Sequence, residues 1–264
     1  MAGTPRRHVM ATAQPGIFAL GTRAHHHVEL DLVDGASLDD VRARAGRLRE
    51  KPVAAGGVNL VVGFGADLWR RLAPNDVPDG LAPFAAVDGI EGHGVPATQH
   101  DVWVWAHGTG PDICLDAARR AVIAFAGVGG SFALLQRWVH DLSGLDALDE
   151  AGQEAVFGRT KRDSIAIDRA ERGVDSHIVR VEIHDAEGEE EELWRRSTPW
   201  GAVGHHGLTF LAFSADPMRY RRMFERIFGI EDGIRDRLTD YSTATNSAEC
   251  FCPSLDALDG LVNR

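Results

Sequence analysis

SHIVRVEIHDAEGEEEELWRRSTPW, residues 176–200, sets two chemically distinctive side chains at an interpretable spacing, His177 near its start and Arg195 near its end. Within it HIVRVEIH alternates, with Ile178 and the other even positions on one face and His177, Val179, Val181 and Ile183 on the other, which is the period of a β-strand. The acidic DAEGEEEE that follows cannot bury itself and carries Gly188 for a turn, so the chain is expected to reverse and return through Leu193 and Trp194. His177 and Arg195 then approach one region. A neutral imidazole on a strand facing an apolar layer suits axial ligation of a metal such as iron, and a guanidinium across the plane suits charge developing on a bound peroxide. The plainer alternative is a half-buried strand histidine and a surface arginine, and these residues alone do not choose.

Composition narrows the classes. With 264 residues and 44% hydrophobic content the chain is long enough for one large domain or two modest ones, each with its own core. A net charge of −11 argues against a nucleic-acid backbone or an anionic membrane as partner. No apolar run approaches the roughly 18 to 20 residues of a membrane span. Residues 1–14 carry arginines but no apolar signal core, so they read as a disordered leader and the cytoplasm as the default location. Three cysteines, Cys114, Cys250 and Cys252, cannot build a disulfide framework, which fits a reducing compartment. Cys250 and Cys252 share one face of an expected strand and read as small core residues.

Taken in order, QPGIFALGTRAHHHVELDLVD reads as one long strand or two joined ones, with His25 and His27 sharing a solvated face. Ser37 caps a helix through SLDDVRARAGRLRE, VNLVVGFG is a strand, and ADLWRRL a short helix. A Pro- and Gly-rich loop follows, and then DVWVWAHG as a strand whose Trp103 and Trp105 serve packing. PDICLDAARRAVIAFAG is a helix started by Pro111. This order, β-α-β-β-α, is a ferredoxin-like plait without its last strand. SFALLQRWVH (strand), SGLDALDEAGQEAVFG (helix opened by Ser143), HIVRVEIH and GLTFLAFSA (strands), ADPMRYRRMFERIFG (helix) and ECFCPSL (strand) make a second plait. The fold expected is α+β, with domains at 15–128 and 129–264.

LLQRWVHDL, FGRTKRDSI, DSH at 175–177, RRSTPWG, GLTFLAFSADP, DRLTDYSTAT and FCPSLDAL occur in an order that closely resembles the dye-decolourising peroxidases, specifically their shorter bacterial branch. Fainter likeness runs through QPGIFAL, VVGFGADLWRRL and PATQHDVWVWAHG. The resemblance implies a pair of ferredoxin-like domains with haem b held by the second. It implies His177 as axial iron ligand, Arg159 as a propionate partner and Arg195 as the distal cation, with Asp236 or Asp240 orienting the histidine. It implies hydrogen peroxide and a bulky aromatic reductant as the reacting partners.

One family feature is missing. The segment joining the two plaits carries, in the family, a GxxDG motif with a distal aspartate, whereas only AGVGGS bridges helix and strand here. Ser197 also departs, standing where the shorter bacterial members usually place asparagine. The expectation is therefore a slow haem peroxidase that depends on Arg195, the alternative being a haem-binding pseudoperoxidase or haem-handling scaffold without turnover. A first plait without its last strand leaves an open edge, which predicts a homo-oligomer.

Overall fold

The computed structural model describes residues 13–49, 57–110, 114, 131–184, 188, 190–191, 193–202, 204–255 and 257. In chain order these form β1 (Ala24–Leu30), α1 (Leu38–Arg49), β2 (Val58–Phe64), α2 (Ala66–Leu72), β3 (Val87–Asp88), β4 (Gly94–Val95), β5 (Val102–Gly108), β6 (Ser131–His140), α3 (Leu142–Asp146), α4 (Glu150–Phe157), α5 (His177–Val181), β7 (Trp194–Arg195), β8 (Thr198–Ala202), β9 (His205–Ser214), α6 (Met218–Ile227) and β10 (Ser242–Cys252). They belong to two compact units, one of residues 1–77, 100–131 and 250–264, the other of residues 78–99 and 132–249.

In the first unit β5 lies between β1 and β2, all antiparallel, with Val104 opposite both Val28 and Val62. That is the 1-3-2 portion of a plait. No described strand lies on the far side of β1. The helix expected at 111–127 and the AGVGGS bridge fall outside the described residues, apart from Ser131, which begins β6, and the buried Cys114. Trp103 and Trp105 are buried core residues, as their place on a strand covered on both faces requires. Ser37 does cap α1, its hydroxyl accepting from the Asp40 N–H at 3.3 Å.

Two expectations for this unit fail. Residues 14–22 are not strand: Pro15–Phe18 is a 3-10 turn, because Gly16 sits so close to β2 that a Cβ there would lie 2.7 Å from Val61. Nor do His25 and His27 lie on a solvated face, both being half-buried. His27 stacks between Trp103 and Trp105, and burial, reinforced by its histidine neighbours, pushes its pKa down to about 3.

The second unit holds a complete plait, in the order β10, β6, β9, β7, with β8 also on β9. The amphipathic α6 buries Tyr220, Met223, Phe224 and Ile227, and the Tyr220 hydroxyl reaches the Phe132 and Ala212 carbonyls at 2.8 and 3.2 Å. The helix expected over 143–158 is two short ones, because Asp141 and Asp149 each cap a separate start by accepting from the N–H groups of Gly144 and Gly152. The larger correction concerns HIVRVEIH. Residues 177–181 are a helix, and the second strand of the plait is supplied by β7 and β8. The Val179 and Arg180 N–H groups close onto the Ser176 carbonyl at 3.0 and 3.1 Å, and Ile178 and Arg180 are the buried positions. Arg180 donates to the Arg226 carbonyl and to both oxygens of Asp232, so tertiary bonding overrides a β-favouring sequence. The turn at Gly188 stands as expected, with His184 bridged to Glu190.

Glu249 in β10 is buried, and loss of solvation, only partly offset by Arg221, pushes its pKa up to about 7. The folded chain then keeps a proton that the unfolded chain has released, so stability falls as pH rises from about 4.5 to 7, by an amount on the order of 3 kcal/mol. Glu249→Gln should flatten the dependence of the thermal midpoint over that window; parallel curves for variant and wild type would contradict it.

Candidate functional site

The chain enters α5 at His177 through a close approach of Gly158 to Ser176. Gly158 ends α4 in the left-handed region, at φ 72°, and a Cβ there would lie 2.9 Å from the Ser176 hydroxyl. α5 therefore starts against the end of α4, and Arg159 directly follows the glycine that closes α4. The imidazole then meets Asp236, whose Oδ2 lies 2.7 Å from Nδ1. Oδ1 of the same carboxylate accepts from the Leu238 N–H at 2.8 Å, starting the 3-10 turn Arg237–Asp240. Asp236 is 1% exposed while the histidine side chain is 38% exposed, so one face of the pair is fixed inside the protein and the other is open. With Nδ1–H donated to the carboxylate, the Nε2 lone pair is left for a ligand.

Asp240 does not meet His177. Its carboxylate accepts from Arg235 at 2.7 Å. Arg159 donates to the Ser164 carbonyl at 2.9 Å and lines a cavity of about 340 Å³ together with Leu145, Gln153, Phe157 and Lys161. Arg195 stands on β7 opposite Ala212, exposed, and no hydrogen bond or ion pair among the described residues ties its guanidinium. Ser197, at the step between β7 and β8, accepts from the Leu211 N–H at 3.3 Å, so its hydroxyl also serves the sheet. Among the described residues no cluster of three or more histidine, cysteine, aspartate or glutamate side chains could hold a metal ion without a further ligand group. Sequence reasoning missed Arg180 and Arg235. Arg180 lies three residues after His177, a spacing that carries meaning only once the segment is read as a helix.

A family model described as Dyp-type peroxidase, C-terminal, matches residues 98–257, and one described as Dyp-type peroxidase, N-terminal, matches residues 14–128. The chain belongs to the Dyp-type peroxidase family. A dye-decolorizing peroxidase of Rhodococcus erythropolis is 28% identical over 78% of this chain and 75% of its own length. One from Brevibacterium linens is 26% identical over 97% of this chain and 83% of its own length. That alignment runs over 309 positions, more than the 264 residues present here, so the relative carries residues this Dyp-type chain lacks. Among solved structures, DyPB from Rhodococcus jostii RHA1 matches with a TM-score of 0.79 at 26% identity, covering 90% of this chain and 94% of that one. A variant of that protein, at TM-score 0.78 and 25% identity over 96% and 98% of the two chains, is in complex with heme. The fold is thus the ferredoxin-like α+β fold of Dyp-type peroxidases.

Removing a carboxylate that fixes a ligating histidine typically weakens binding of the metal group about 10- to 100-fold. Asp236→Asn should lower hemin affinity by that factor in an absorbance titration, and Asp240→Asn by much less. Equal losses in the two variants would contradict the pairing seen here.

Proposed function

We propose that this Dyp-type peroxidase uses hydrogen peroxide to oxidise bulky aromatic donors, and the observation that carries the reading is the contact between His177 and the buried Asp236. The residues present fit haem b, which is the cofactor. A histidine with one nitrogen committed to a carboxylate offers the other as a strong, correctly oriented donor to iron. Arg159 supplies a guanidinium fork suited to a haem propionate, and Arg195 and Ser197 stand two positions apart in sequence where the distal side is expected. When bound, haem supplies the redox chemistry by which peroxide is reduced and electrons are drawn from the donor.

The chain's own residues do the rest. Asp236 holds the Nδ1 proton of His177 and so strengthens the push from Nε2. Arg195 would provide a permanent positive charge for the oxygen that becomes negative as the O–O bond breaks. Because a guanidinium stays protonated, Arg195 is a poor base, and the first proton must travel through water or the peroxide itself. AGVGGS offers no carboxylate to take it, which supports slow turnover. The same deficit supports a second reading, a haem-binding pseudoperoxidase. No described helix is long and apolar enough to cross a membrane. We propose a cytoplasmic location, in keeping with three cysteines that are free thiols.

Losing a charge stabiliser that is held in place costs roughly a hundred- to a thousandfold in rate, a range Arg195 reaches once bound peroxide orders its guanidinium. Arg195→Leu should keep hemin bound but lose peroxide-dependent oxidation of an aromatic dye by at least that factor. Wild type with hemin bound and no turnover would favour the pseudoperoxidase; a variant as fast as wild type would remove Arg195 from the reaction.

We also propose a homo-oligomer, supported by β1 standing at the end of the described strand order. Sedimentation at micromolar concentration should give a dimer or larger species, and a clean monomer would refute it.

A further inference from the structure

The loop between α2 and β5 belongs by sequence to the first plait, yet residues 78–99 pack within the second unit. There β3 and β4 form a hairpin whose tip, Ile90–Gly92, bends back on the end of α6. The Ile90 N–H donates to the Phe228 carbonyl at 3.0 Å, and Gly89 lies so close that a Cβ would sit 2.5 Å from that of Phe228. This seating accompanies Glu91 in the left-handed region, at φ 58° and ψ 21°, a conformation that few non-glycine residues adopt.

The strained residue aims its carboxylate at Arg235. Glu91 Oε2 accepts from Nε at 3.0 Å and from Nη2 at 2.8 Å. The remaining donors of the same guanidinium all reach the turn that carries Asp236. Nη2 donates to Asp240 at 2.7 Å, and Nη1 donates to the Asp236 carbonyl at 3.3 Å and to the Thr239 hydroxyl. Thr239 in turn donates to the Asp236 carbonyl at 2.6 Å. Arg235 is also bridged through its backbone to Phe228, so the guanidinium spans from the hairpin to both ends of the 3-10 turn. A planar fork with every N–H engaged is a geometry that lysine cannot reproduce.

We propose that Arg235 is a positioning residue for the His177–Asp236 pair, and that Glu91 of the 87–95 hairpin holds it in place. The proposal rests on the haem reading only for what the pair does; the positioning itself concerns the protein alone. It also gives Asp240 a role, as an anchor of Arg235 and not as a partner of the histidine.

The test uses the full chain, with Glu91→Gln and Arg235→Lys as variants and Glu91→Asp as the conservative control. In the hemin-free protein, nitrogen-15 NMR of the His177 ring should show its Nδ1–H exchanging severalfold faster with water in both variants, with partial recovery in Glu91→Asp. In the hemin-loaded protein both variants should raise the midpoint potential, because a less well held Asp236 makes the imidazole a weaker donor. Glu91 is exposed at the hairpin tip, so Glu91→Gln keeps the test available if Arg235→Lys fails to fold. An unchanged His177 signal and exchange rate in a folded Glu91→Gln protein would overturn the proposal. Wild type that takes up no hemin would instead overturn the haem reading, and the hemin-free NMR result would still decide whether Arg235 positions the pair.

Discussion

A carboxylate that is 1% exposed must be satisfied where it lies, and Asp236 meets that demand with the Leu238 N–H on one oxygen and His177 on the other. Leaving such a group without a partner costs more than the bond itself contributes, so the position of α5 and that of the turn after α6 are bound to each other. Much of the second unit serves this constraint. Arg180 draws α5 onto the end of α6, Arg226 returns a bond to the Val179 carbonyl at 2.9 Å, and Gly158 lets α4 end against Ser176. The histidine is consequently held on its inner nitrogen and open on its outer one, the arrangement that a haem peroxidase requires of its axial ligand.

The Dyp-type family membership and the site geometry meet at this pair, and Arg195 is held differently. Arg195 rests on two-residue β7, exposed, without the dense bonding that surrounds His177. His177 is therefore tied to a buried carboxylate, whereas the Arg195 guanidinium has no such partner among the described residues.

Most strands were legible because burial on one or both faces imposes its period on the sequence. VNLVVGF, VWVWAHG and SFALLQRWVH are apolar runs bounded by glycine or polar residues, and each is a strand. HIVRVEIH was misread for a definite reason. Its β-branched residues mimic alternation, while the force that makes it a helix comes from Arg226 and Asp232, some 50 residues away, which local periodicity does not encode. The histidine ladder beside Trp103 and Trp105 was misjudged similarly, since polarity suggested solvent and stacking supplied burial. For the site, family motifs pointed to His177 and to two candidate aspartates as its partner, and the 2.7 Å contact is with Asp236. Arg235 and Glu91 were invisible because their sequence separation is 144 and nothing in a loop composition marks a brace.

Hemin titration of the purified chain, followed by the Soret band in wild type and in His177→Ala, tests the central claim most directly. The account predicts saturation at one hemin per chain with an axial-histidine spectrum, and loss of binding or of that spectrum in the variant. No Soret band in wild type, or an unchanged one in His177→Ala, would contradict it.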